Sequence, residues 1–178
     1  VCLLSDGAFM EGEAKEALSA IAGLTQKGRL NPYLLIISFN DTKLSGRINQ
    51  DSFDLASNIE ALEVMGWDLR HVANGHDLPA VYQSIEKAHQ DLQNNSTRPI
   101  CLCMHTKKGQ GLAKTVAMPS GGHGYHLKKY DPELLTCLKE LWNNEVPKEF
   151  EQWAQDILNK KPQSSDVKSS AAPKEKIQ

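Results

Sequence analysis

Two short motifs carry residue types from which a metal-diphosphate site can be built: SDG at residues 5–7 and FNDTKLSG at residues 39–46. Asp6 sits in a tight, glycine-flanked turn after one apolar strand, and Asn40 closes the next. On neighbouring parallel strands these would put two oxygen ligands on one rim of a sheet. Ligands of open α/β sheets bind at that rim, beyond the carboxyl ends of the strands. Downstream, Lys107 and Lys108 could attract phosphate or simply form a solvated pair. His76 and Asp77 in NGHD read as a helix cap rather than as chemistry.

The elements needed to position these residues are legible as alternating strands and helices. Residues 1–4 end a strand. Residues 13–27 are rich in Ala, Leu, Glu and Lys, with Leu18, Ile21, Ala22 and Leu24 spaced for one helical face, and Gly28 stops them. Residues 33–39 form a continuous apolar run of strand length, as expected of a strand covered on both faces. The spacing then predicts a helix over 54–65, a strand over 67–72, a helix over 78–93 and a strand over 99–105. A glycine-containing loop over 106–126 leads to helices near 132–143 and 148–160. Residues 1–160 are expected to be one domain. Residues 161–178, KPQSSDVKSSAAPKEKIQ, hold only Val167 and Ile177 as large aliphatics and read as a disordered linker or tail. The chain opens inside a strand, so the expectation is of one piece of a larger sheet, incomplete at the N-terminal side.

Composition narrows the function classes. A formal net charge of -2 over 178 residues, with scattered Lys and Arg, provides no basic field for nucleic acid. The longest apolar run is too short to cross a bilayer, and the expectation is a soluble, cytoplasmic protein. Cys2, Cys101, Cys103 and Cys137 include no CxxC and read as buried free thiols in a reducing compartment.

Six segments occur in the order in which transketolase has them: SDGAFMEGEAKEAL, NDTKLSG, ANGHDLPAVYQSIEKA, ICLCMHTKKGQGL, GGHGYH and EVPKEFEQWAQDI. The chain therefore resembles the latter part of the diphosphate-binding domain of thiamine-diphosphate enzymes, transketolase first. The resemblance implies an α/β fold of three layers, a parallel sheet with helices on both faces. It implies thiamine diphosphate and Mg²⁺ as cofactors, and two-carbon ketol transfer between sugar phosphates, as in the pentose phosphate pathway. Related activities are those of 1-deoxy-D-xylulose-5-phosphate synthase and the homodimeric 2-oxo acid dehydrogenase E1 component. A non-catalytic regulatory or assembly subunit with a decayed site is the alternative of another class.

The family pattern assigns residues. Asp6 is the carboxylate ligand of Mg²⁺, Asn40 the side-chain amide ligand and Thr42 the backbone carbonyl ligand, with LSG setting the register that ends at Gly46. A slip would make the Thr42 side chain the ligand instead. Gly7 and Ala8 lie against the diphosphate. Glu11 and Glu16 match glutamates at the dimer interface that link two cofactors, although both also suit a solvated helix face. His123, followed by Gly124, matches the histidine that donates to the diphosphate or to a developing oxyanion, and His126 is the other alignment. Ser5 replaces the usual first glycine, and extra length falls in LTQKGRLNPYL, before the Asn40 motif. The glutamate that activates the aminopyrimidine belongs to the family's next domain, and several substrate histidines lie upstream. The chain alone is thus expected to be inactive, and to work as a homodimer or with a split-subunit partner carrying the pyrimidine-binding domain.

Overall fold

The computed structural model describes residues 1–94 and 96–160, so the tail read from residue 161 lies outside the described residues. These residues fall into two compact units, one of Val1–Gly124 and one beginning at Tyr125.

In the first unit, β1 (Cys2–Ser5), β2 (Leu34–Phe39), β5 (Asp68–Val72) and β6 (Ile100–His105) form a parallel sheet in the order β1-β2-β6-β5. The run of four buried residues at the start of β2 shows why it needs no polar alternation. Leu35 and Ile37 enter one apolar core with Leu18, Ile59, Leu62 and Trp67, while Leu34 and Ile36 enter the other with Ala88, Val72 and Leu102. Successive side chains point to opposite faces, so a strand covered twice must be apolar throughout. Helices α2 (Gly12–Gln26) and α4 (Ala56–Met65) cover the first face, and α5 (Leu78–Gln93) covers the second. This is the three-layer arrangement expected.

Several predicted boundaries have clear physical causes. The α2 helix ends in a Schellman turn: Gly28, at φ +64°, donates to Thr25 O (2.9 Å) and Arg29 donates to Leu24 O (2.9 Å). The α5 helix starts where Asp77 Oδ1 accepts the Ala80 N–H, so the cap reading of Asp77 is what the structure has. Trp67, fully buried, donates its indole N–H to Leu18 O (2.9 Å) and locks α2 against the sheet. Truncating it to Ala should cost about 3–5 kcal/mol.

Among the described residues the pattern missed five short elements: α1 (Asp6–Phe9), the antiparallel pair β3 (Thr42–Lys43) and β4 (Gly46–Arg47), α3 (Ile48–Asp51), and α6 (Ala113–Ala117) inside the expected 106–126 loop. Each is two to five residues long, too short to show a hydrophobic period. The reading of all four cysteines as buried is corrected for Cys2, exposed on the edge strand β1, and for Cys137, half-buried in the second unit, whereas Cys101 and Cys103 on the inner strand β6 are buried. In the second unit, α7 (Glu133–Leu141) and α8 (Lys148–Asn159) pack together, with Trp142 and Phe150 rings 5.2 Å apart.

Candidate metal and diphosphate site

The parallel register brings the two motifs to one rim. Ser5 pairs with Ser38, so the residues that follow, Asp6 in one chain segment and Asn40 in the other, leave the sheet together. Ser5 is extended (φ -84°) and its Oγ accepts the Ala8 N–H (3.2 Å), capping α1. A position at negative φ does not require glycine, so serine there costs no strain.

Asp6 is fully buried, and three backbone amides hold its carboxylate. Oδ1 accepts the Gly7 N–H (2.8 Å), and Oδ2 accepts the N–H groups of Asn40 and Asp41, each at 2.7 Å. Hydrogen bonds to a charged group contribute about 1.5–3 kcal/mol each. Asp6 therefore staples the second motif to the first. The amides of Gly7 and Ala8 both donate within their own turn, so what these two residues offer a ligand is a surface without bulky side chains.

The chain turns at Asp41, which adopts left-handed backbone (φ +57°), a conformation aspartate tolerates better than most residues. Asp41 Oδ1 accepts the Asn49 N–H (2.8 Å) and its carbonyl accepts the Ile48 N–H (3.1 Å), which sustain that conformation. Asn40 Oδ1 is buried and has no hydrogen-bond partner among the described residues. The Thr42 hydroxyl, by contrast, donates to Asn40 O (3.1 Å) and accepts from Arg47 Nη1 (2.8 Å), so it has partners where Asn40 Oδ1 has none among the described residues. A Cβ placed on Gly7 would stand 3.7 Å from the Thr42 carbonyl oxygen, so that carbonyl lies against the Asp6 turn. A buried carboxylate, an unpartnered amide oxygen and a backbone carbonyl are all hard oxygen donors. They suit Mg²⁺, which keeps its remaining positions for water and phosphate.

Beside this cluster lies an open cleft of about 380 Å³, lined by Ser38, Asn40, His76, Thr106, Lys107 and Lys108 among others. Its far wall is the TKKG loop, tied to β2 by Thr106, whose N–H donates to Phe39 O (2.9 Å) and whose hydroxyl is 3.1 Å from Ser38 Oγ. Three further residues shape it. His76 Nε2 accepts the Lys107 N–H (2.7 Å), so the histidine read as part of a helix cap instead orders this loop. Gly109, at φ +80°, sits where a Cβ would be 2.7 Å from Gly121 O and 2.8 Å from Thr115, so the TKKG loop and the glycine turn before His123 touch with no room for a side chain. Arg47 reaches from Thr42 to Met118 O (3.4 Å) and joins the Asn40 motif to the same segment.

The structure thus gathers Asp6, Gly7, Asn40 and Thr42, with Ala8 in the turn that follows Asp6. His123 is exposed in the neighbouring glycine turn, its N–H donating to Ser120 O (3.2 Å), and His126 is exposed in the second unit. Glu11, just before α2, and Glu16, on it, are exposed. Asp41, Arg47 and the loop-ordering role of His76 escaped sequence reasoning. Only the glycine-poor turn NDT next to LSGR hinted at the first two, because their partners are tertiary.

Residues 1–175 match the family model described as the thiamine diphosphate binding domain of transketolase. A transketolase of Bacillus subtilis (strain 168) is 32% identical over 133 residues, covering 74% of this chain and 18% of that protein. Among solved structures, a substituted transketolase from Pichia stipitis in complex with fructose-6-phosphate superposes with a TM-score of 0.58 at 23% identity, over 88% of this chain and 22% of the other. The transketolase of Leishmania mexicana does so with 0.54 at 19% identity, over 89% and 22%. The chain spans about a fifth of the length of these relatives.

Proposed function

Since the chain belongs to the transketolase family, through its thiamine diphosphate binding domain, we propose that it supplies the metal-diphosphate half of a transketolase active site in a cytoplasmic enzyme. The reaction is two-carbon ketol transfer between sugar phosphates. The observation that carries this reading is Asn40 Oδ1, a buried amide oxygen left without a partner beside a fully buried carboxylate. Burying an unpaired carbonyl costs about 1–3 kcal/mol, and a cation bound there would offset that cost.

Asp6, the Asn40 side chain and the Thr42 carbonyl would hold Mg²⁺. When bound, thiamine diphosphate supplies the electron sink for breaking and forming the carbon-carbon bond. The chain's residues bind and orient. Gly7 and Ala8 leave room for the diphosphate, Lys107 and Lys108 at the cleft attract its charge, and His123 donates a hydrogen bond to phosphate or to a developing oxyanion. His126 takes that role if the alternative alignment holds. Exposed Glu11 and Glu16 meet a second subunit, in a homodimer or with a split-subunit partner that brings the pyrimidine-binding domain.

The test uses the full-length protein, or the chain with its complementing subunit. Two-carbon transfer from a ketose phosphate to an aldose phosphate should be Mg²⁺-dependent, exceed pyruvate turnover and be lost in Asp6→Ala. Calorimetry on the isolated chain should show no tight, Mg²⁺-dependent cofactor binding. Unchanged cofactor binding by Asp6→Ala in the completed protein would overturn the assignment and favour a non-catalytic subunit.

A further inference from the structure

A second cluster of ligating side chains lies on the same sheet and takes no part in the site above. His71 on β5 and Cys103 on β6 are register partners, and His105, two residues along β6, shares the face of Cys103. One nitrogen of each histidine and the Cys103 sulfur all lie within 4.8 Å of one another. His71 Nδ1 is 3.0 Å from His105 Nε2, and His71 Nε2 is 3.0 Å from Glu60 Oε1 on α4.

The carboxylate decides the tautomer. Glu60 can only accept from His71, so Nε2 carries the proton and Nδ1 keeps a lone pair facing His105. We infer that His71 Nδ1, Cys103 Sγ and His105 Nε2 form a binding site for a borderline-soft divalent cation of the zinc class, with Glu60 orienting His71 from behind. Thiolate and imidazole donors select such ions over Mg²⁺. Tetrahedral bonds of the usual lengths put nitrogen and sulfur ligands about 3.3–3.6 Å apart, so the observed cluster closes on an ion by small side-chain rotations. A carboxylate on the far nitrogen of a ligating histidine is the usual outer support of zinc sites. The fourth position belongs to solvent, because the His71 side chain is 38% exposed while Cys103 is buried.

The protonation states agree. Burial above all, opposed in part by the Glu60 charge, lowers the His105 pKa, which favours the neutral imidazole that ligation needs. Burial, with the nearby charges of Glu60 and Asp6, pushes the Cys103 thiol up to about 12. Without an ion it stays a thiol, and a coordinated divalent cation deprotonates it outright. Binding therefore releases the thiol proton, while the proton between the two imidazoles moves to His105 Nδ1 as that neutral ring changes tautomer. The ring of His105 also packs edge-on against Phe39 (centroids 5.4 Å apart), the residue before Asn40, so an ion here would stiffen the rim. The inference does not depend on the proposed ketol transfer.

The experiment titrates the metal-free full-length protein with Co²⁺, and in competition with Zn²⁺, under excess Mg²⁺. One Co²⁺ per chain should bind with a thiolate-to-metal charge-transfer band, and Zn²⁺ should displace it. The band should vanish in Cys103→Ala, affinity should fall by about 10- to 100-fold in Glu60→Gln, and Asn40→Ala should change neither. Should Cys103→Ala fail to fold, His71→Gln, at a half-exposed side chain, carries the same expectation. Absence of the band, or a band and affinity that survive His71→Gln and Glu60→Gln, would overturn the site.

Discussion

Replacing Asn40 by Ala should separate stability from binding. Its Oδ1 is buried without a partner among the described residues, a state that costs about 1–3 kcal/mol, and alanine removes it. The lost packing of the amide opposes this by about 1–2 kcal/mol on a per-methylene scale. Backbone interactions survive, because the Asn40 N–H still donates to Asp6 Oδ2 and its carbonyl still accepts from Thr42. The net change should stay within about 1 kcal/mol, or a Tm shift of no more than about 4 °C for a chain of this size. Loss of one cation ligand should meanwhile weaken Mg²⁺-dependent cofactor binding at least tenfold, about 1.4 kcal/mol. Thermal unfolding of the chain and calorimetric titration of the full-length protein with thiamine diphosphate at fixed Mg²⁺ measure the two quantities. Asp6→Asn provides the contrast. Its amide must present an NH₂ either to two backbone donors or to the Gly7 N–H, so at least one charge-assisted bond is lost, for about 2–4 kcal/mol. If Asn40→Ala lowers Tm by 8 °C or more, the oxygen has a structural partner and the argument fails. Cofactor binding that is unchanged refutes the ligand role directly.

Three further outcomes follow from other parts of the molecule. Asp41→Asn should be nearly neutral, whereas Asp41→Val should cost about 2–3 kcal/mol in chemical denaturation, because a β-branched residue is strained at φ +57° and cannot accept the Asn49 N–H; equal stabilities would contradict the turn. With a thiol reagent at pH 8, exposed Cys2 should react quickly, while Cys101 and Cys103, whose pKa values burial raises, should react only on unfolding; labelling of Cys103 in the native protein within seconds would rule this out. The Glu63 carboxyl is held below its ordinary 4.5 by the Leu69 N–H first and Arg98 second. A depressed carboxylate stabilises above its unfolded pKa and loses that contribution as pH falls through the folded one. Glu63→Gln should thus be less stable at pH 7 by at most about 1 kcal/mol, given its exposure, and indistinguishable from the parent well below pH 4.5; a difference that persists in acid would point to packing instead.

Sequence alone determined the layered architecture, because its causes are local. Four consecutive apolar residues in β2 demand two covered faces, Gly28 accepts the left-handed turn that ends α2, and Asp77 caps α5 from three residues away. The SDG and NDT motifs likewise named Asp6 and Asn40 as oxygen donors by residue type. What only the tertiary structure decided is how those donors are used. Asp6 binds amides thirty-four and thirty-five residues away, and through them orients the turn that leaves Asn40 Oδ1 open. Arg47, His76 and the Gly109–Gly121 contact shape the cleft through partners remote in the chain, and the His71, Cys103 and His105 cluster exists only because β5 and β6 pair in one register. Propensity and hydrophobic period act within a turn or two of the backbone. An unsatisfied oxygen or a meeting of three ligands arises where separate segments are pressed together, and no local pattern encodes it.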